Sequence, residues 1–152
     1  MMFRLISLSI AALSPVGSSY GSESGKRIEI VGPVMAEVIR VIDGDTILVA
    51  AKPWPQQTIE VYVRLRGIDA PELKSACAAT RDAGLQARAA LASLTTDQRE
   101  IRLTHISGDK YFGRVVADVS FPDGRNPAQE MLSAGYVSPY DGGRKAKDCS
   151  SW

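Results

Sequence analysis

The sequence predicts an α+β protein, a closed β-barrel of five short strands with two helices in the order β-β-β-α-β-β-α. Three observations predict it. Strand-forming residues gather in five runs, with clean apolar–polar alternation in the third. Each run is bounded by glycine, proline or aspartate, the residues that turn a chain. One stripe of helical period separates the third run from the fourth.

Met35–Ile42 is rich in strand formers and stops at Asp43-Gly44, a strong hairpin signal. Thr46–Ala51 resumes as a strand, and Lys52-Pro53-Trp54-Pro55 breaks it, since proline cannot sit inside a ladder. Thr58–Arg66 then alternates, with Ile59, Val61, Val63 and Leu65 on one face and Glu60, Tyr62, Arg64 and Arg66 on the other. Gly67 lets the chain bend and Pro71 ends the regular pattern. A helix follows over Cys77–Leu94, where Ala83, Ala87, Ala90, Leu91 and Leu94 form one apolar stripe. Arg99–Ile106 and Gly113–Phe121 are the last two strands, followed by the turn Pro122-Asp123-Gly124. A short helix, Pro127–Ala134, stops at Gly135. Five strands with a helix after the third close as a barrel of the oligonucleotide-binding kind, the OB-fold. The domain is expected over residues 27–140, and the tail Asp141–Trp152 shows no periodicity.

A chain of 152 residues suffices for one domain with a real core. Met1–Arg4 supplies one positive charge, Leu5–Leu13 an apolar stretch too short to span a bilayer, and Ser14–Ser22 small, turn-rich residues. That order predicts a secretory signal peptide over about residues 1–22 and an exported protein, periplasmic or secreted, without stable membrane association once the leader is removed. Arg4 is the only charged residue before Glu23, so the 18 Lys+Arg and 17 Asp+Glu balance to zero net charge in the mature chain. Such a protein does not hold nucleic acid by bulk charge; any basic binding surface must be local. Two spaced cysteines in an exported protein tend to pair, which predicts a Cys77–Cys149 bridge tying the tail to the middle of the chain.

The charged turns carry the functional signal. Hairpin chemistry explains Asp43 and Gly44 completely, but not Asp45, which enters a strand where aspartate is disfavoured. Asp69 and Glu72 follow the next strand and, taken alone, are a polar loop. Together, two aspartates from separate turns with a backbone carbonyl and water make the oxygen environment that Ca²⁺ accepts. The single histidine, His105, is read as packing on a strand face, which leaves zinc without ligands. Arg64 and Arg66 stand on the same strand face, close in sequence to these acids. Arginines beside a cation make sense when an anion must bind there too, because a guanidinium fork matches two phosphate oxygens. Asp109-Lys110-Tyr111-Phe112-Gly113-Arg114 reads alone as a glycine turn opening a strand; with the other pieces it delivers a second guanidinium.

V-I-D-G-D-T, R-L-R-G-I-D-A-P-E and D-K-Y-F-G-R-V-V-A-D-V, in that order and spacing, resemble the staphylococcal nuclease (thermonuclease) family over about Met35–Tyr140. The resemblance implies a five-stranded OB-fold barrel that hydrolyses DNA and RNA phosphodiesters with Ca²⁺. It implies Asp45, Asp69 and the carbonyl of Ala70 as metal ligands, with Asp43 near the metal but outside its contacts. It makes Arg64 and Arg114 the phosphate-binding arginines and Glu72 the carboxylate that activates water, and it puts Lys110 and Tyr111 with the substrate. Ala70 stands where the family prototype has threonine, and Phe112 is an extra residue between Tyr111 and Gly113-Arg114. No counterpart of the prototype's long C-terminal helix is expected after Tyr140. The protein is expected to act as a monomer. The competing reading is a catalytically silent OB-fold module that only binds nucleic acid or protein.

Overall fold

A computed structural model describes residues 28–143 and Cys149. Before the first helix come β1 (Glu29–Ile30), β2 (Val34–Val41), β3 (Thr46–Lys52), β4 (Ile59–Leu65) and β5 (Ile68–Asp69). Helix α1 (Ala78–Thr96) leads to β6 (Glu100–Gly108), β7 (Arg114–Ser120), α2 (Pro127–Ser133) and β8 (Ser138–Pro139). The five long strands are the five expected, and they close into a barrel: β2, β3, β4, β7 and β6 run round it, with β6 pairing both β2 and β7. The closing contact between β4 and β7 is parallel, with Tyr62 opposite Arg114 and Arg64 opposite Val116. Closure leaves no long open sheet edge. The expected leader lies outside the described residues, as does the tail apart from Asp141–Gly143 and Cys149. Among the described residues no helix is long and apolar enough to cross a membrane.

Alternation sets what each strand buries. Val63 and Leu65 are fully inside while Tyr62 and Arg66 are exposed, as a pleated half-buried strand requires. Ile59, expected on the same face as Val63 and Leu65, is exposed at the first position of β4. The core joins Val49, Val63, Ile101 and Leu103 from the barrel to Leu91 of α1 and Met131 of α2. Asn126 caps α2, its side-chain oxygen accepting from the Ala128 and Gln129 amides at 2.9 and 3.2 Å.

Helix α1 buries Ala87 and Leu91 of the expected stripe, but the stripe is rotated at its other positions. Thr80, Gly84, Ala87, Leu91 and Thr95 face inward, while Ala83, Ala90 and Leu94 are only partly covered. Close approach decides this. A Cβ at Gly84 would lie 2.8 Å from the Pro71 carbonyl oxygen, and one at Gly44 would lie 2.6 Å from Cβ of Ala87 and 2.8 Å from Cβ of Ala70. Small residues therefore let the helix press both acid-bearing turns together. Thr95 is accommodated because its hydroxyl donates to the Leu91 and Ala92 carbonyls, both at 3.1 Å.

Two short strands escaped the sequence pattern and matter here. β5 and β8 pair Ile68 with Pro139 and Asp69 with Ser138, so the chain after α2 grips the loop that carries Asp69. Cys77, at the start of α1, is joined to Cys149 as expected, with Cα atoms 5.7 Å apart. The bridge closes a 72-residue separation, worth about 4 kcal/mol on a chain-entropy estimate.

Two stability outcomes follow from this packing. Gly84→Ala gains about 1 kcal/mol of helix propensity, but crowding a backbone carbonyl costs about 1–3 kcal/mol. The urea midpoint is expected to fall; a rise would mean that the helix and the Pro71 loop are not in contact. Reduction of Cys77–Cys149 is expected to lower Tm by several degrees, read by calorimetry with and without dithiothreitol. An unchanged Tm, or two free thiols by mass spectrometry of non-reduced protein, would contradict the bridge.

Candidate active site

The β2–β3 turn places the first acid. Asp43 accepts the Asp45 amide on its own carboxylate at 3.1 Å, a local turn that frees Asp45 to point inward. Asp45 is 3% exposed and fully engaged. Its Oδ1 accepts from the Thr46 hydroxyl and from Arg64, both at 2.8 Å, and its Oδ2 accepts from the Ala70 amide at 2.9 Å. Its carbonyl accepts the Leu65 amide at 2.8 Å, which ties the turn to the end of β4.

Arg64 is the hub. One arm of its guanidinium reaches Asp45; the other donates to Asp69 Oδ1 at 2.8 Å and to the Ile68 carbonyl at 3.2 Å. Asp45 from one motif and Arg64, Asp69 and Ala70 from another are thus one network. Burial first, and then Asp43, push the Asp45 carboxyl up to about 6 although Arg64 pulls it down. The Arg64 guanidinium, held by the two acids against the opposing effect of burial, is raised above its ordinary value.

The β6–β7 turn forms the second cluster. Arg114 opens β7 and pairs through Nε with the Asp109 carboxylate. Its guanidinium carbon lies 4.7 Å from the centre of the Tyr111 ring, and the Lys110 ammonium lies 5.0 Å from the same ring. Burial would raise the Asp109 carboxyl, but the hydrogen bond from Arg114 and the Lys110 amide outweigh it, and its pKa is lowered. The β4–β7 pairing, Tyr62 opposite Arg114 and Arg64 opposite Val116, brings the two clusters onto adjacent strands. The extra Phe112 is absorbed in the turn: Gly113 takes φ +80° and the Arg114 amide donates to the Tyr111 carbonyl at 3.3 Å. Arg114 therefore enters β7 in register with Tyr62.

Other residues fall differently. Glu72 is exposed in the loop after Pro71, where its carbonyl accepts the Ser75 amide at 3.2 Å. Arg66 shares the face of Arg64 but is held by the His105 carbonyl, the Ser107 hydroxyl and the Val116 carbonyl. His105 is not packed on a strand face: it sits in an irregular stretch of β6 with φ +49°, and its exposed ring meets Asp118 at 3.0 Å. Cys77 and Cys149 belong to their disulfide. Two participants went unread in the sequence. Asp109 was visible five residues ahead of Arg114, inside the quoted motif. Tyr140, whose ring centre lies 5.5 Å from the Arg64 guanidinium, is positioned by its amide on the Gly67 carbonyl at 2.9 Å, a long-range contact without a local signal.

Among the described residues no three Asp, Glu, His or Cys side chains form a metal-holding group. The donor set still suits a hard cation. Two carboxylates and a backbone carbonyl are all oxygen, the donor type such a cation accepts. The raised Asp45 carboxyl shows that Arg64 does not fully offset the burial of this negative charge.

Fold and site together define a closed OB-type barrel that gathers buried acids and two arginines at one end. The Staphylococcal nuclease homologue family matches residues 62–150, more than half of the chain, and the chain belongs to that family. It is 34% identical over 108 residues to an uncharacterized endonuclease of Escherichia coli, an alignment that covers 71% of this chain and 62% of that protein. It is 41% identical over 92 residues to a micrococcal nuclease of Shigella flexneri, covering 59% of this chain and 46% of the other. The chain thus spans less than two thirds of the length of these relatives. The family match includes Arg64, Asp69, Ala70, Glu72, Lys110, Tyr111 and Arg114, and begins after Asp43 and Asp45.

Charge balance at the network is testable without any assay of activity. A divalent cation that binds only the folded chain stabilises it by about 2.7 kcal/mol at a hundred times its dissociation constant. Ca²⁺ is expected to raise the Tm of the parent, and that gain is expected to shrink in Asp45→Asn and Asp69→Asn. Equal gains in all three proteins would place the cation elsewhere.

Proposed function

We propose that the chain is a Ca²⁺-dependent nuclease, acting as a monomer, that hydrolyses phosphodiester bonds of DNA and RNA. The observation that carries this reading is the pairing of Tyr62 with Arg114 in the parallel β4–β7 contact. Paired residues share a sheet face, and Arg64 lies two positions beyond Tyr62, so both arginines stand on the outer face of adjacent strands beside the buried acids. Family membership and the names of the relatives support the same reading.

In this mechanism the substrate phosphate approaches Arg64 and Arg114, whose guanidinium forks donate to its oxygens as negative charge develops there. Both arginines arrive pre-positioned by carboxylates, which limits the reorganisation needed at the moment of reaction. Glu72, in the exposed loop after Pro71, accepts the proton of the attacking water. Lys110 and Tyr111 flank the bound strand. Asp45, Asp69 and the Ala70 carbonyl hold Ca²⁺, with Asp43 as a neighbouring charge. The bound cation supplies Lewis-acid polarisation and a template for substrate. The same reading has the chain exported with loss of residues 1–22, and the Cys77–Cys149 bridge supports it because such bonds persist in oxidising compartments.

Digestion of single-stranded DNA and RNA by folded protein, with Ca²⁺ and with chelator, tests the proposal; cleavage of neither substrate at millimolar Ca²⁺ would sink it. Arg114→Ala is expected to lower kcat by a factor on the order of 10² or more, and Glu72→Gln to do likewise with binding little changed. Arg114→Lys is not expected to rescue, since an ammonium lacks the bidentate fork. A silent binding module would instead lose affinity in these variants and have no cleavage to lose.

A further inference from the structure

The β6–β7 turn contains a side chain that the proposed chemistry does not use. Phe112 is fully exposed, at 108%, and its neighbour Tyr111 is 56% exposed. A single exposed apolar residue is ordinary on a protein surface and would mean nothing by itself. Its setting is what matters. The turn is stapled by its own bonds: the Asp109 amide to the Arg114 carbonyl at 3.2 Å, the Arg114 amide to the Tyr111 carbonyl at 3.3 Å, the Lys110 amide to Asp109 Oδ1 at 2.6 Å, and the Arg114–Asp109 ion pair. Gly113, in the left-handed region, returns the chain to β7 directly after the phenyl ring. A large apolar side chain is thus held out in water by a structured turn, two residues before Arg114.

Around it, aromatic and cationic side chains alternate. Tyr111 carries Arg114 at 4.7 Å and Lys110 at 5.0 Å from its ring centre. Tyr62, 39% exposed, is the register partner of Arg114 on β4. A cationic track for the backbone with exposed rings for the bases is how proteins hold single-stranded nucleic acid. Tyr111 already lies against two cations; Phe112 is the ring left uncovered. A base inside a duplex has both faces covered by its neighbours, so only an unpaired base can lie on such a ring.

We propose that Phe112, with Tyr62 beside Arg114, is a stacking ledge for an unpaired nucleobase flanking the phosphate bound by Arg64 and Arg114. The proposal rests on the nuclease reading of those two arginines and adds a substrate-positioning subsite to it. No bond is made or broken at this ledge; it places the strand and leaves the chemical step alone.

The test separates the two readings. KM and kcat are measured with Ca²⁺ on a short oligothymidylate and on the same strand carrying abasic nucleotides. Phe112→Ala is expected to raise KM about tenfold on the intact strand with kcat unchanged, and to match the parent on the abasic strand. Phe112→Trp should keep the parent KM, and Phe112→Leu should behave as Phe112→Ala. Tyr62→Ala should add a smaller rise of its own. A binding readout needs no turnover: in the Phe112→Trp, Glu72→Gln double variant, oligothymidylate should quench tryptophan fluorescence that the Glu72→Gln single variant does not lose. Cleavage by Phe112→Ala at the parent KM, or an equal rise in KM on the abasic strand, overturns the ledge and leaves the nuclease reading standing. Quenching by the oligonucleotide with no cleavage by the parent does the reverse.

Discussion

One guanidinium shared by two buried carboxylates holds this protein's working end together. Arg64 joins Asp45 to Asp69 at 2.8 Å each, and all three side chains are largely out of water. Burying such charges is costly unless geometry and further hydrogen bonds satisfy every group. The fold meets that demand with the Thr46 hydroxyl, the Ala70 amide and the Ile68 carbonyl. Among the described residues no buried side-chain nitrogen or oxygen lacks a partner. Removing one member of such a set costs on the order of 3–5 kcal/mol, because the remaining charge is left unpaired. The β2–β3 turn, the end of β4 and the short β5 are therefore fixed relative to one another by electrostatics as much as by apolar packing.

The rest of the architecture can be understood as support for that network. Helix α1 presses against both acid-bearing turns, and it does so with Gly84 and Ala87 because the Pro71 carbonyl and Gly44 leave no room for more. Chain from beyond α2 returns to pair with Asp69 through β8 and to lay Tyr140 against Arg64. Just past β4, on the face of Arg64, Arg66 bonds to carbonyls of β6 and β7 beside the irregularity around His105. Two arginines two residues apart thus have opposite fates, one in the candidate site and one in the scaffold.

Among the described residues, Asp43, Asp45 and Asp69 gather close to Arg64. Burial, and then Asp43, raise the Asp45 carboxyl despite the Arg64 ion pair. The second arginine is not spent there. It is held by Asp109 and Tyr111, beside the first cluster and not inside it. The two arginines, on adjacent strands, are thus held by separate carboxylates.

The amino-acid sequence by itself determined the five strands, both helices, and the turns that carry Asp45, Asp69 and Arg114. Periodicity and turn residues are local signals, and each acts within a few positions of the chain. The motifs also singled out the acids and arginines, because aspartate is disfavoured entering a strand and the arginines stand close in sequence to the acids. Only the tertiary structure decided how those residues meet. It made Arg64 the bridge between two acids, turned α1 onto Thr80, Gly84 and Thr95, and absorbed Phe112 so that Arg114 stands opposite Tyr62. It also recruited Asp109 to hold Arg114 and Tyr140 to cover Arg64, and it put His105 in an irregular stretch of β6. These outcomes depend on the parallel β4–β7 pairing and on backbone approach between distant segments. Neither leaves a periodic trace, because a contact across the barrel is set by which surfaces fit and which charges must be covered, and no single stretch of the chain encodes it.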